Sequence, residues 1–187
     1  MLDPIVTHYK LIILIVVIAV TGIVFYKFYQ NNRFRLKTKK CIGRISYDFV
    51  HNVTLDNGVD QYAQFDYIAL TQNGVVVIDV KNYSGHIFGA EKIDEWTQII
   101  NKKSYKFDNP FFDIEHKLEL LKDINKDINI TGLILFTDEA DFPKGCPDNV
   151  ISLKDLKTRF AAVKKRDVPA ISLKMWEQIK NNIQQMA

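Results

Sequence analysis

The sequence predicts an α/β fold in which a β-sheet is flanked by helices and preceded by one transmembrane helix. Three observations lead to this prediction. An apolar stretch with little charge occupies residues 10–29, Asn73-Gly74 separates two β-branched segments, and a helical pattern and a further apolar strand follow these segments. Strands followed by a crossover helix and another strand are typical of a sheet with a helix on its face.

The composition is that of one modest domain with an apolar attachment. The chain has 187 residues, 47% of them hydrophobic, and a formal net charge of +3. Such a small net charge does not indicate a general polyanion binder, so any nucleic-acid surface must be local. Cys41 and Cys146 lie far apart and no CxxC motif is present, which argues against a disulfide framework and against a zinc site.

Residues 10–29 are expected to form a membrane-spanning helix. No charged residue interrupts the segment from Leu11 to Tyr26. A helix of about 20 residues covers about 30 Å, the hydrocarbon thickness of a bilayer. A cleaved signal peptide is the competing interpretation, but the segment ends in Phe25-Tyr26-Lys27-Phe28 and lacks the small residues of a cleavage site. The sequence therefore predicts an uncleaved anchor in the lipid bilayer.

Basic residues after the apolar segment predict its orientation. Residues 30–44 contain several Lys and Arg, whereas residues 1–9 contain neither. The positive-inside rule then places a short N-terminus outside and the larger C-terminal part in the cytoplasm, as in a single-pass protein of the cell membrane. The basic juxtamembrane segment could contact anionic lipid headgroups or nucleic acid.

A β-hairpin is predicted at the centre of the C-terminal part. Asn-Gly between two β-branched segments is the strongest short hairpin signal, because both turn residues of such a loop have positive φ. Asn73-Gly74 is therefore expected to be the two-residue loop. The strands expected around it are residues 47–55, 64–71 and 75–81.

Three charged side chains are expected to meet on one face of this hairpin. With Asn73-Gly74 as the loop, Asp66 pairs with Lys81 and lies diagonal to Asp79, and side chains two apart on a strand share a face. One interpretation is a cross-strand salt bridge on a solvated face, which contributes about 0.2–1 kcal/mol. The other is a divalent cation between the carboxylates, since Mg²⁺ usually takes one or two carboxylates and leaves room for a substrate phosphate.

The segments after the hairpin complete the expected fold. A short strand at His86–Phe88 precedes another within Glu91–Ile100, in which Trp96 is a core residue. Asn109-Pro110 begins a helix, because proline is favoured at the first helical position. Ser152 begins a capping-box motif ahead of a later helix. The remaining expected elements are a polar turn around Asp56-Asn57-Gly58, strands at Ile130–Phe136 and Val150-Ile151, and a last helix at Ser172–Gln185.

This pattern resembles the nuclease-related domain (NERD) family, a branch of the PD-(D/E)xK nuclease superfamily. The resemblance covers the chain from about Tyr47 to about Leu156 and implies a restriction-endonuclease-like mixed β-sheet flanked by helices. A nuclease-like domain is then expected at residues 45–160, with a helical extension at residues 161–187. The residues that carry the resemblance are Gln64-Phe65-Asp66, the run from Asn73 to Gly85, Ile87, Gly89, Trp96, Asn109-Pro110, His116, and Gly132 ahead of an apolar strand.

The resemblance also implies a catalytic role for the charged face. Asp66, Asp79 and the backbone carbonyl of Val80 would hold Mg²⁺ or Mn²⁺. Lys81 would orient the attacking water or help to deprotonate it, and would offset charge that develops on the phosphate. A lysine beside two carboxylates is expected to stay protonated. The implied activity is metal-dependent hydrolysis of phosphodiester bonds in nucleic acid, with DNA the expected substrate.

The chain departs from the family's pattern at one acidic position, which leaves alternatives open. Family members carry a Gly-Glu pair on a helix ahead of the first strand. Here no Glu precedes Asp66, and Cys41-Ile42-Gly43-Arg44 keeps the glycine alone; Asp113 stands where Gln is usual. One alternative is a catalytically degenerate module that binds nucleic acid or a protein at the membrane. Another is a structural tether in which the hairpin charges form ion pairs.

Overall fold

The structure, a computed structural model, describes residues 4–56, 62–124, 129–160 and 168–185. Its helices and strands confirm the expected α/β class. The expected turn residues Asn57-Gly58 and residues 161–167 of the C-terminal extension lie outside the described residues. In chain order the elements are α1 (Pro4–Ile45), β1 (Asp48–Asp56), β2 (Tyr62–Thr71), β3 (Gly74–Lys81), β4 (Gly85–Phe88), β5 (Glu95–Ile100), β6 (Lys103–Asp108), α2 (Pro110–Ile124), β7 (Ile130–Phe136), β8 (Ala140–Asp141), β9 (Val150–Ser152), α3 (Leu153–Arg159) and α4 (Ala170–Gln185).

Helix α1 carries the apolar N-terminal segment. The chain divides into two compact units, Met1–Lys39 and Lys40–Ala187. Among the described residues, one helix is long and apolar enough to cross a bilayer, with a candidate span at His8–Ile45. Its large apolar side chains from Leu11 to Ile18 are exposed. A signal sequence meets the same criteria, so the bilayer anchor at residues 10–29 stays a prediction.

A five-stranded mixed sheet forms the centre of the second unit. Its strand order is β1-β2-β3-β7-β9; β1, β2 and β3 are antiparallel, and β3, β7 and β9 are parallel. Parallel neighbours require a crossover connection, and helix α2 lies in the connection from β3 to β7. Gly132 lies within β7 and not ahead of the strand. A Cβ atom at Gly132 would lie 2.9 Å from Cγ1 of Ile114, so the glycine lets α2 approach the sheet closely.

The central hairpin forms, but its turn is not the expected one. Gln72 and Asn73 make the turn, and β3 begins at Gly74, which pairs with Thr71. Gly74 has a φ of +119°, and a Cβ atom there would collide with the carbonyl oxygen of Asn129. The glycine is therefore required twice, by its own positive φ and by the close approach of the Asn129 backbone to the first residue of the strand.

The resulting register differs from the expected one by two residues. Tyr67 lies opposite Ile78, so the expected direct pair of Asp66 with Lys81 is wrong. The faces of the strands are nevertheless preserved, because side chains alternate with a period of two. A shift by one residue would have moved Asp66 to the face opposite Asp79, whereas a shift by two leaves them on the same face.

A second, four-stranded sheet has the order β6-β5-β4-β8. The sequence pattern does not predict β6, and β5 begins at Glu95 rather than at Glu91. Asn101 and Lys102, with φ of 51° and 64°, form the two-residue turn between β5 and β6. Two residues with positive φ match the twist of antiparallel strands. Lysine is not one of the residues by which such a turn is recognised in a sequence.

Trp96 on β5 is fully buried, which confirms its expected place in the core. Its ring stacks with that of Phe136 on β7 at a centroid distance of 6.1 Å. The indole Nε1 donates a hydrogen bond to the carbonyl of Ala90 at 3.0 Å, so the polar atom of the buried ring is satisfied. This stacking joins the cores of the two sheets.

Two of the expected helix starts are confirmed, whereas the last helix begins at Ala170 and not at the expected Ser172. Oδ1 of Asn109 accepts a hydrogen bond from the N–H of Phe111 at 3.0 Å, and α2 begins at Pro110. Oγ of Ser152 accepts the N–H of Asp155 at 3.2 Å, and the Asp155 carboxylate accepts the N–H of Ser152 at 3.3 Å. Each cap satisfies backbone donors that the first turn of a helix leaves unpaired.

Candidate functional site

An open groove of about 390 Å³ is lined by the β2–β3 hairpin and helix α2. Three of its lining residues are those singled out in the sequence: Asp66, Asp79 and Lys81. The structure thus brings the three together in one groove, and their catalytic role stays a prediction. The rest of the lining comes from residues 62–64 of β2 and from Asp113, His116 and Lys117 of α2.

Asp66 is held in place by the backbone of the neighbouring strand. Its Oδ2 accepts a hydrogen bond from the N–H of Val80 at 2.7 Å. A bond from a backbone N–H to an ionised carboxylate is stronger than one between neutral groups. The structure therefore shows the N–H of Val80 engaged by Asp66. The role expected for the Val80 carbonyl, as a metal ligand, stays a prediction.

The carboxylate of Asp79 is the buried centre of the groove, with its side chain 3% exposed. Oδ1 lies 2.5 Å from Nζ of Lys117, and Oδ2 lies 2.7 Å from Nζ of Lys81. The contact with Lys81 is an ion pair without hydrogen-bond geometry. Within the described part of the chain, Oδ2 accepts no hydrogen bond. Each oxygen of Asp79 thus faces an ammonium group, and a further ligand on Oδ2 would have to share that oxygen with Lys81.

Helix α2 contributes a second Lys–Asp pair that the sequence analysis does not assign to the groove. Nζ of Lys117 lies 3.0 Å from Oδ2 of Asp113, and Nζ of Lys81 lies 3.2 Å from the same atom. Asp113 and Lys117 are four residues apart and so lie on one side of the helix. The signal that could have identified Lys117 is its place on the apolar stripe between Ile114 and Leu121, where a charged residue is unusual.

The packing of these charges determines the direction of their pKa shifts. Burial raises the pKa of Asp79, and the Lys81 and Lys117 ammonium groups oppose that rise. Burial lowers the pKa of Lys81, but the Asp79 and Asp113 carboxylates outweigh it and hold this pKa above its usual value. Partial burial raises the pKa of Asp113, but the Lys117 hydrogen bond and the Lys81 charge bring it below its usual value. Lys81 is therefore protonated at neutral pH, as the sequence predicts.

The groove suits a hard divalent cation in its donor chemistry. Carboxylate oxygens are the ligands that Mg²⁺ prefers, and the carboxylates of Asp66, Asp79 and Asp113 line the groove. Three carboxylates and two ammonium groups together give the groove a net charge of −1. Among the described residues, no group of three or more His, Cys, Asp and Glu side chains forms a metal-binding cluster. The residues thus fit an ion held by two carboxylates and water better than one enclosed by protein ligands.

The helix ahead of the first strand supplies no carboxylate to this groove. Cys41-Ile42-Gly43-Arg44 lies in the last turns of α1, and Arg44 is exposed. No Asp or Glu occurs between Asp3 and Asp48, so the described length of α1 carries no acidic side chain. The residue that follows Gly43 is therefore basic and not acidic.

The chain is similar to a known domain family and to a curated protein. The family described as the nuclease-related domain matches residues 26–137, a range that contains all of the groove residues. A protein of Bacillus anthracis, described as uncharacterized, is 44% identical over 66 residues, which are 35% of this chain and 31% of that protein. The chain thus spans about a third of the length of the curated relative that it matches. No solved structure matches the chain.

Proposed function

The chain belongs to the nuclease-related domain (NERD) family, and from this premise we propose that its groove cleaves phosphodiester bonds of DNA in a reaction that needs a divalent metal ion. The observation that carries the proposal is the convergence of Asp66, Asp79 and Lys81 on one groove. Two carboxylates that can hold a metal ion, beside a lysine that can face a phosphate, are groups that can serve metal-assisted phosphoryl chemistry.

Each of the three residues has a separate part in the proposed reaction. Asp66 and Asp79, with the backbone carbonyl of Val80, would hold Mg²⁺ or Mn²⁺. When bound, the ion would polarise the phosphate and lower the pKa of its bound water. Lys81 is held at Asp79 by the 2.7 Å ion pair and stays protonated. It therefore acts through its charge, by stabilising the negative charge that develops on the phosphate and by orienting the attacking water.

The proposal places this activity at the cytoplasmic face of the cell membrane. Residues 10–29 are predominantly apolar and belong to a helix that is long enough to cross a bilayer. Residues 30–44 are basic, which supports a cytoplasmic location for the residues that follow them. The substrate would then be nucleic acid that lies close to the membrane.

Cleavage of plasmid DNA by the full-length protein in detergent micelles tests the activity. We expect cleavage in the presence of Mg²⁺ or Mn²⁺ and none in the presence of EDTA. We expect Asp79→Asn to lower the cleavage rate about 100-fold or more, because it removes a charged metal ligand. Asn is preferred to Ala because it keeps the volume of the buried side chain and an acceptor for Lys117.

Glu95→Gln on β5 is the matched control. It removes an exposed carboxylate that pairs with Lys106 and does not line the groove. We expect this variant to cleave DNA at the wild-type rate. Cleavage that is absent with both metals, or that is undiminished in Asp79→Asn, would contradict the proposal.

A second candidate function is binding of nucleic acid without cleavage. It is favoured by the two ammonium groups that already contact Asp79 and by the absence of an acidic side chain from α1. Fluorescence anisotropy with a labelled duplex measures this binding, and a steep loss of affinity with rising salt identifies phosphate contacts. Tight, salt-dependent binding in a protein that does not cleave DNA would favour this candidate over the first.

A further inference from the structure

We propose that Lys117 is a resident cation of the groove that competes with a divalent metal ion for Asp79. This role of Lys117 rests on the proposed function in one respect, because it requires Asp79 to be a metal ligand. The Lys117 ammonium occupies Oδ1 of Asp79. Its positive charge opposes metal binding to that carboxylate, so removing this charge strengthens metal binding.

The contacts of Lys117 are those of a buried counter-ion and not of a surface salt bridge. Its side chain is 6% exposed, and its Nζ lies 2.5 Å from Oδ1 of Asp79 and 3.0 Å from Oδ2 of Asp113. Its stem leaves the apolar face of α2, where Ile114 and Leu121 are buried. A buried ammonium group is strongly destabilising unless it is paired, so Lys117 is held at these two carboxylates.

The charge balance of the groove is the source of the competition. The three carboxylates and two ammonium groups carry a net charge of −1, and a divalent ion would change this to +1. Without the Lys117 charge the groove carries −2, which a divalent ion neutralises. Like charges a few ångströms apart repel more strongly at a partly desolvated site than in water. Metal binding is therefore weaker with Lys117 in place than without it.

Lys117 differs from Lys81 in its freedom to leave the cluster. The Lys81 side chain is 23% exposed, so its ammonium group can turn toward the groove opening and water. The Lys117 side chain is 6% exposed, and among the described residues its charged partners are Asp79 and Asp113. An incoming metal ion could therefore displace the Lys117 ammonium group only by leaving a buried charge without its partner, which is unfavourable.

Titration of the full-length protein with Mn²⁺ in detergent tests this competition, with free Mn²⁺ measured by electron paramagnetic resonance. Lys117→Met removes the charge and keeps an unbranched stem. We expect its Kd for Mn²⁺ to fall about tenfold or more relative to wild type. Lys117→Arg keeps the charge, and we expect its Kd to stay within about threefold of wild type.

Two further variants keep the test decisive. Adding Asp79→Asn to Lys117→Met is expected to abolish the increase in Mn²⁺ affinity, because the proposal places the bound Mn²⁺ at Asp79. If thermal unfolding shows that Lys117→Met does not fold, Lys117→Gln replaces it, because glutamine can still donate a hydrogen bond to Asp79 without a charge. An uncharged folded variant that binds Mn²⁺ no more tightly than wild type overturns the proposal. So does a lack of detectable Mn²⁺ binding in both proteins.

The result for Lys117 is separable from the result for cleavage. Tighter Mn²⁺ binding by Lys117→Met, together with no DNA cleavage by wild type, supports the role of Lys117 and refutes the nuclease function. DNA cleavage by wild type, together with an unchanged Mn²⁺ affinity of Lys117→Met, refutes the role of Lys117 and leaves the nuclease function standing.

Discussion

The carboxylate of Asp66 has two roles that depend on different properties of the side chain. It accepts the N–H of Val80 at 2.7 Å, and this role needs an oxygen acceptor of the right shape. It also lines the groove, where its proposed role as a metal ligand needs a negative charge. Substitutions that keep the shape and remove the charge can therefore separate structure from activity at this residue.

We expect Asp66→Asn to keep stability and to lose activity. The amide oxygen can still accept the N–H of Val80, although more weakly than a carboxylate does, so the free energy of unfolding should fall by less than about 1 kcal/mol. DNA cleavage should fall about 100-fold because the charge is gone. Asp66→Ala should lose both, with a cost of about 1–3 kcal/mol for the lost hydrogen bond to a charged acceptor. Urea unfolding followed by Trp fluorescence and the plasmid cleavage assay measure the two effects.

A wild-type cleavage rate in Asp66→Asn would show that the Asp66 charge is not used. An equal loss of stability in the Asn and Ala variants would instead show that the amide does not replace the carboxylate as an acceptor. Because Trp96 and Trp176 both lie in the unit Lys40–Ala187, the fluorescence signal reports on the unit that contains the groove.

At the scale of elements, one carboxylate links helix α4 to strand β1, in addition to the core packing of Met175, Trp176 and Ile179. Oδ2 of Asp48 accepts a hydrogen bond from Nε1 of the buried Trp176 at 2.8 Å and another from Nζ of Lys180 at 3.3 Å. The N–H of Phe49 donates to Oδ1 of the same residue at 2.8 Å. Partial burial raises the pKa of Asp48, but these three hydrogen bonds outweigh it and bring the pKa below its usual value.

This lowered pKa predicts how the attachment of α4 depends on pH. A carboxyl group with a lowered folded pKa stabilises the fold above its unfolded pKa of about 3.9, and this contribution is lost as the pH falls through the folded pKa. Asp48→Asn should therefore be less stable than wild type at pH 7. The difference should shrink as the pH falls below about 3.9. Urea unfolding at several pH values measures it, and parallel pH curves for the two proteins would contradict the assignment.

The elements that the sequence predicts correctly are those fixed by neighbouring residues. The helix caps at Asn109 and Ser152 depend on groups within three residues, and both are confirmed. The hairpin turn depends on the Asn129 backbone, which approaches Gly74 from a distant part of the chain. No local sequence pattern contains that contact. The expected loop is therefore one residue too far along the chain, and the expected strand register is wrong by two residues.

The groove shows the same division between local and distant information. Asp66, Asp79 and Lys81 share a face because of strand alternation, which depends on the parity of residue positions and survives the shift in register. Lys117 joins them because α2 packs across β3 and β7, and the period of a helix cannot by itself give its distance from a strand. The position of Lys117 on an apolar stripe indicates that its charge is buried, but it does not indicate which carboxylate the charge pairs with.

At the scale of the whole molecule, the proposed orientation can be tested with a residue that the chain already has. Cys146 is exposed, whereas Cys41 is buried. Burial raises the pKa of the Cys146 thiol, and the Asp155 and Asp148 charges raise it further, so labelling is best done at about pH 8. We expect a membrane-impermeant maleimide to label inverted membrane vesicles and not right-side-out vesicles.

The matched control for this experiment is Cys146→Ser, which should remain unlabelled in inverted vesicles. Labelling of wild type in right-side-out vesicles would place the groove outside the cell and contradict the positive-inside argument. Recovery of the full-length protein in the soluble fraction after cell lysis would contradict the anchor itself.

Strand β6 ends the second sheet and, in the described part of the chain, pairs along one side alone, with β5. An open strand edge is a template on which another copy of the chain can add a strand, and polymers grow in this way. Lys103, Lys106 and Asp108 place charges along this edge. Charged side chains on an edge strand disfavour such addition, because pairing with another strand would remove water from them. The short charged edge therefore protects the molecule from self-association, even where attachment to a surface would crowd many copies together.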